Sequence, residues 1–105
     1  MKRQKLTDNP RRWFNGDNAL RIPGTLEYDP TSGTWLQRTT GDFYSREDLY
    51  YTPSGRWILH RWSIRHGSPF QWVEITPREA LQWLERSGYA EEAERFRRKL
   101  RRLSR

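Results

Sequence analysis

The chain contains no cysteine, which excludes a disulfide framework, a thiolate nucleophile and any cysteine-ligated zinc site. A reducing cytoplasm is the setting this predicts. Long apolar runs are missing as well. No stretch approaches the roughly 20 apolar residues of a membrane span. The N-terminus, MKRQKLTDNPRRWF, has the charge of a secretory signal without the apolar segment that must follow it. Histidine occurs only as His60 and His66, and the acids Asp42, Glu47, Asp48 and Glu74 stand at no recognisable ligand spacing, so neither a metal nor another cofactor is expected. Ser63 lies between the histidines without a glycine-flanked nucleophile motif, a phosphate loop or a carboxylate pair. The expectation is a protein that is not an enzyme. Aliphatic residues are scarce too, with one valine and four isoleucines among 105 residues.

Tryptophan and arginine take their place. Only 33% of residues are hydrophobic, yet 14% are aromatic, and six of these are tryptophan. Rings must therefore build much of the core of a chain this size, which is long enough for one domain and one core. Charge is unevenly spread. The last eleven residues carry seven cations and no acid, equal to the formal net charge of +7 of the whole chain. The first twelve hold Lys2, Arg3, Lys5, Arg11 and Arg12 against Asp8, and residues 13–94 are acidic on balance, with eight arginines against twelve acids. A mildly acidic body between basic ends suggests a folded domain with an appendage that seeks polyanions.

Residues 1–24 read as a polar, loop-rich segment anchored by Trp13, Phe14, Leu20 and Ile22, with residues 1–10 expected to be mobile. Strand-like runs follow at 25–28, 34–39, 48–52, 56–65 and 70–75, separated by Asp29-Pro30-Thr31-Ser32-Gly33, by a loop around Gly41, by Pro53-Ser54-Gly55 and by His66-Gly67-Ser68-Pro69. Close spacing with such punctuation predicts an antiparallel meander. In the longest run Ile58, His60, Trp62 and Ile64 share one face, and Trp57, Leu59, Arg61, Ser63 and Arg65 the other. The first set is more apolar and is the expected core face, with the second partly covered.

The helix signals are local and chemical. Thr76-Pro77-Arg78-Glu79 combines a capping threonine, a proline at the first helical position and a glutamate three residues after the cap. The predicted helix covers 77–87, with Ala80, Leu81 and Leu84 toward the sheet, Trp83 at the edge of that stripe and Gly88 as terminator. A second helix is expected over 90–103, with Ala93, Phe96, Leu100 and Leu103 forming a narrow apolar stripe opposite the arginines. The fold class is therefore α+β: a small antiparallel meander of four or five strands packed on a helix, with a basic C-terminal helix.

The run Leu49-Tyr50-Tyr51-Thr52-Pro53-Ser54-Gly55-Arg56-Trp57, followed by Leu59, Trp62-Ser63, Gly67-Ser68, Glu74-Ile75, Ala80 and Trp83-Leu84, resembles a family of small uncharacterised bacterial proteins. These pair an LYxTxxGRW hairpin with a WS…GS strand end and an A..WL helix. The resemblance covers about a third of the chain and departs at Ile64-Arg65-His66, where relatives often carry Gln-Trp-Gln. It implies a shared sheet-plus-helix domain and brings no activity, ligand or catalytic residue.

The tail supplies the main functional candidate: Arg95, Arg97, Arg98, Lys99, Arg101, Arg102 and Arg105 fit phosphate contacts to DNA or RNA without sequence reading, because phosphates release condensed counterions and the guanidinium fork matches their oxygens. The same pattern suits a solvated helix face, partly neutralised by Glu91, Glu92 and Glu94 one turn earlier. Two further readings stand beside it. Trp57, Arg61 and Arg65 on one strand face, with Tyr51 near them, offer a platform for unpaired bases or simply pack a small sheet. The stripe Ala93, Phe96, Leu100 and Leu103 offers a docking surface for a protein partner or a second copy, as in an adaptor or inhibitor.

Overall fold

The two longest strands meet at the Thr52-Pro53-Ser54-Gly55 turn, where the Thr52 hydroxyl accepts the Arg56 amide at 2.9 Å and the Thr52 carbonyl accepts the Gly55 amide at 3.0 Å. A computed structural model describes residues 3–9, 11–65 and 70–103, the side chain of Leu103 excepted. Its strands are β1 (Arg3–Lys5), β2 (Trp13–Asn15), β3 (Leu20–Pro23), β4 (Leu26–Asp29), β5 (Thr34–Gln37), β6 (Ser45–Tyr51), β7 (Trp57–Ser63) and β8 (Gln71–Ile75), followed by helices α1 (Pro77–Arg86) and α2 (Ala90–Leu103). The main sheet has the order β3-β6-β7-β8 with every pairing antiparallel, and the hairpins β1-β2 and β4-β5 stand apart from it. This is an α+β fold of antiparallel sheets and two helices. The expected turn at 66–69 lies outside the described residues.

Two elements differ from the sequence reading. The runs at 25–28 and 34–39 pair with each other as the separate ribbon β4-β5, and the sheet takes its fourth strand from Leu20–Pro23, inside the segment read as loop. Of the segment 1–10 expected to be mobile, residues 1, 2 and 10 lie outside the described residues, and residues 3–9 contain β1. Leu6 is buried, the Thr7 amide donates to the Trp72 carbonyl, and the Trp72 amide donates to the Thr7 hydroxyl, both at 2.7 Å.

The sheet has a core on each face. Leu49, Trp57, Leu59 and Ile22 pack under the helices with Ala80, Trp83, Leu84 and Ala93. Leu6, Phe14, Ile58 and Trp72 form a second cluster under the N-terminal hairpin. The face chosen from β7 alone is therefore corrected: the helices cover the Trp57 and Leu59 side, because cross-strand partners decide a face and Leu59 stands between Leu49 and Val73 in register. His60 and Trp62 are half-buried on the other side, and Ile64 is exposed.

The helix ends follow the local chemistry. Thr76 accepts the Glu79 amide at 3.1 Å while the Glu79 carboxylate accepts the Thr76 amide at 3.0 Å, a complete capping box with Pro77 next to it. At the C-terminal end the Gly88 amide donates to the Glu85 carbonyl and the Tyr89 amide to the Leu84 carbonyl, at 3.1 and 2.8 Å. That paired closure needs a left-handed residue, and Gly88 has φ +89°. Trp83 is not at the edge of the stripe as expected. It is 2% exposed, because its indole N–H finds a buried acceptor.

Candidate nucleic-acid interface

Helix α2 lies on the sheet by the stripe that the sequence marked. Ala93 is fully buried, and the Phe96 ring meets Trp57 and Tyr51 edge-on, with centroids at 4.9 and 5.1 Å. Leu100 is half-buried, and the Leu103 side chain lies outside the described residues. Arg98, Arg101 and Arg102 are thereby turned to solvent, since a helix that buries one stripe presents the rest outward.

These cations are not equivalent. Arg97 bonds both Glu94, at 2.7 Å, and Glu85 of α1, so it ties the two helices together. Glu94 also pairs with Arg101 at 3.2 Å and Arg98 at 3.6 Å. The hydrogen bond from Arg97 holds the Glu94 carboxyl below its ordinary pKa, helped by the fields of Arg101 and Arg98. Lys99 donates to the Tyr51 hydroxyl at 3.3 Å and lies over its ring. Arg95 and Arg102 are exposed, and among the described residues neither has an ion pair. Arg105 lies outside the described residues. Two carboxylates, Glu94 and Glu85, serve three guanidiniums, and Arg95 and Arg102 have none among the described residues, so the outer face of α2 keeps an excess of positive charge.

The stacking set expected on one face of β7 does not assemble. Trp57 is 3% exposed beneath Phe96, Tyr51 packs beside it, and Arg61 is drawn into a buried polar centre. That centre is Glu47, 4% exposed. Its Oε1 accepts the Thr39 hydroxyl at 2.5 Å and the Trp83 indole N–H at 3.0 Å, and its Oε2 accepts Arg61 Nε at 2.7 Å. Three donors hold the carboxylate in place, and its Oε2 anchors Arg61. An open cleft of about 510 Å³ lies beside it, lined by Thr40, Ser45, Ser63 and Gln71 among others. A second buried acid, Asp48, accepts Arg21 at 2.9 Å and the Gly24 amide at 2.9 Å. Sequence reasoning missed both centres. The only signal was a pair of acids next to the most apolar part of β6.

His60 sits on the opposite face among rings. Its imidazole stacks on Trp72 at 3.8 Å and 9°, and on Trp62 at 4.8 Å and 27°. Both ring nitrogens are buried, and among the described residues neither has a hydrogen-bond partner. Burial pulls its pKa below the ordinary histidine value, with Asp48 acting the other way. Among the described residues no three His, Asp or Glu side chains converge in a way that could hold a metal ion, and no helix is long and apolar enough to cross a membrane.

Comparison of the chain with protein-family models, with curated proteins and with solved structures finds no match in any of the three.

Proposed function

We propose that the protein is a small accessory factor that binds nucleic acid through phosphate contacts on the outer face of α2, without catalysis and without reading sequence. The observation that carries this reading is the division of labour on α2. Ala93 and Phe96 are committed to the domain's own core, while Arg95, Arg98, Arg101 and Arg102 are exposed. The adaptor reading needs the same stripe as a free surface, and in it Phe96 is already packed against Trp57 and Tyr51 and Ala93 is fully buried.

A salt titration of binding to duplex DNA, single-stranded DNA and RNA tests it. If about four phosphates are neutralised, the slope of log K against log salt is near −3.6, and raising salt from about 50 to 200 mM weakens binding by roughly 10². Replacing the exposed Arg95, Arg98, Arg101 and Arg102 with glutamine, with Arg97 left to bridge the helices, is expected to abolish binding while circular dichroism stays unchanged. A parent protein that does not bind at low salt, or a quadruple variant that binds as well as the parent, removes this function and returns the adaptor reading.

A further inference from the structure

The face of the sheet turned away from the helices, together with the paired bends at Phe43–Tyr44 and Ile64–Arg65 just beyond the ends of β6 and β7, carries a second arrangement of rings and guanidiniums. It begins with the column Trp72, His60 and Trp62, in which Trp72 and His60 are direct cross-strand partners and Trp62 lies two residues further along β7. The column is buried at its Trp72 end and half-buried at Trp62. Phe70, 62% exposed, stands edge-on to His60 with centroids at 5.4 Å. Directly opposite Trp62 on β6 is Arg46, whose guanidinium lies over Phe43 at 5.5 Å. Phe43 meets Tyr44 at 5.1 Å, and Arg65 covers Tyr44 at 4.1 Å.

Three properties of this face point to one class of ligand. The first is a stack that ends at Trp62, which keeps part of its surface accessible to solvent. His60 takes one face of the Trp62 indole, and among the described residues no other ring or guanidinium lies on it. An aromatic face so placed stacks a planar ring, and nucleobases are tolerant partners because each has a π-face. The second is charge. Arg46 and Arg65 are held by rings rather than by carboxylates, and among the described residues neither has an ion pair. The third is that the nearby acids are already satisfied. Asp48 is bonded to Arg21 and the Gly24 amide, and Asp42 accepts the Ser45 hydroxyl and the Ser45 and Tyr44 amides. Asp48 is balanced by Arg21 and Asp42 alone stands against Arg46 and Arg65, so the face keeps a cationic excess beside its rings, which suits a strand that alternates phosphates with exposed bases. A rigid duplex hides its bases and gains nothing from it.

We propose that Trp62, flanked by Arg46, Arg65 and the Phe43–Tyr44 pair, is a stacking site for an unpaired base of single-stranded nucleic acid. The proposal rests on the nucleic-acid reading of α2 and adds to it a preference for single strands. The site is separate from α2, so the two contributions separate experimentally.

The test uses fluorescence anisotropy at low salt with three probes: an oligothymidylate, an abasic strand of the same length, and a duplex. The parent protein is expected to bind oligothymidylate about ten-fold more tightly than the abasic strand, within the range that one stacked base contributes. Trp62→Ala is expected to erase that difference while leaving affinity for the abasic strand and the duplex unchanged, and Trp62→Phe to retain most of it. The quadruple arginine variant of α2 is expected to weaken all three probes and to leave no selective loss of the base preference. Equal binding of thymidylate and abasic strands by the parent overturns the stacking site but leaves phosphate binding by α2 intact. A Trp62→Ala variant that keeps the base preference overturns it too. If Trp62→Ala fails to fold, the parent's abasic comparison and the Trp62→Phe variant decide. Failure of the parent to bind any probe removes both proposals.

Discussion

Glu47→Gln is the smallest change that questions how this fold is held together. The substitution keeps the shape and one carbonyl oxygen, so the Thr39 hydroxyl and the Trp83 indole N–H can still be accepted. It removes the charge and places an amide N–H₂ against Arg61 Nε, which now lies 2.7 Å from an acceptor. Hydrogen bonds to a charged group contribute about 1.5–3 kcal/mol against about 1 for neutral ones. The two retained bonds therefore weaken by roughly 0.5–1 kcal/mol each. Arg61 is 53% exposed at its side chain, so it can turn to water, and the loss of that third bond is discounted to about 1 kcal/mol. The expected destabilisation is about 2–3 kcal/mol. For a domain of this length each kcal/mol lowers Tm by about 4–5 °C, so a drop of roughly 10 °C should appear in thermal unfolding followed by circular dichroism. Arg61→Gln is the control. It leaves the buried acceptor bonded to Thr39 and Trp83, and should cost less than about 1 kcal/mol. A Glu47→Gln melting point within about 2 °C of the parent, or an Arg61→Gln loss as large as that of Glu47→Gln, would refute the view that the buried indole and hydroxyl bonds carry the energy.

Two further outcomes follow from the packing. A Cβ at residue 24 would lie 2.1 Å from the Glu47 carbonyl oxygen and 2.2 Å from Gln37 Nε2, so Gly24→Ala should destabilise by about 1–3 kcal/mol through overpacking, and urea unfolding with an unchanged m-value measures this. His60 has a folded pKa below its unfolded value of about 6.5, so between those two values the unfolded chain binds more protons. Stability should rise with pH through that window, level off above about 6.5 and be lost as pH falls toward the folded pKa. Melts of the parent and His60→Gln between about pH 5 and 7.5 should differ in slope, and equal slopes would show that burial among the rings does not hold the imidazole neutral.

The parts of this fold that could be read in advance are those fixed by short-range chemistry. The capping box at Thr76 and the left-handed closure at Gly88 involve residues within a turn of each other, so α1 ends where its sequence says. The stripe Ala93 and Phe96 was legible because helical periodicity is local too. Strands of three or four residues, such as Arg3–Lys5 and Leu20–Pro23, have no pattern long enough to register. Their pairing comes from partners far along the chain, as in Ile22 beside Leu49. The same distance explains the site. Glu94 one turn before the arginines was legible as their partner, but nothing in the tail shows that Glu85 of α1 will bond Arg97, and Glu47 becomes an acceptor only when Trp83 arrives from 36 residues away. The aromatic face was hidden for the opposite reason: Trp62, Phe43 and Phe70 look like core rings until the helices are seen to choose the other side.

The stitch between Thr7 and Trp72 has a bearing on self-association. A four-stranded sheet has two rims, and each is a template on which another chain can lay a strand. One rim is β8, where the Trp72 amide and carbonyl are both taken by Thr7. The other is β3, four residues long, carrying a charged Arg21 and ending in Pro23, which has no N–H to offer and whose carbonyl already accepts the Tyr89 hydroxyl at 2.7 Å. A chain with so many exposed rings would otherwise be prone to ordered stacking of copies. Here both rims of the main sheet are blunted, so its edges offer little template for a strand from another copy despite the ring-rich surface.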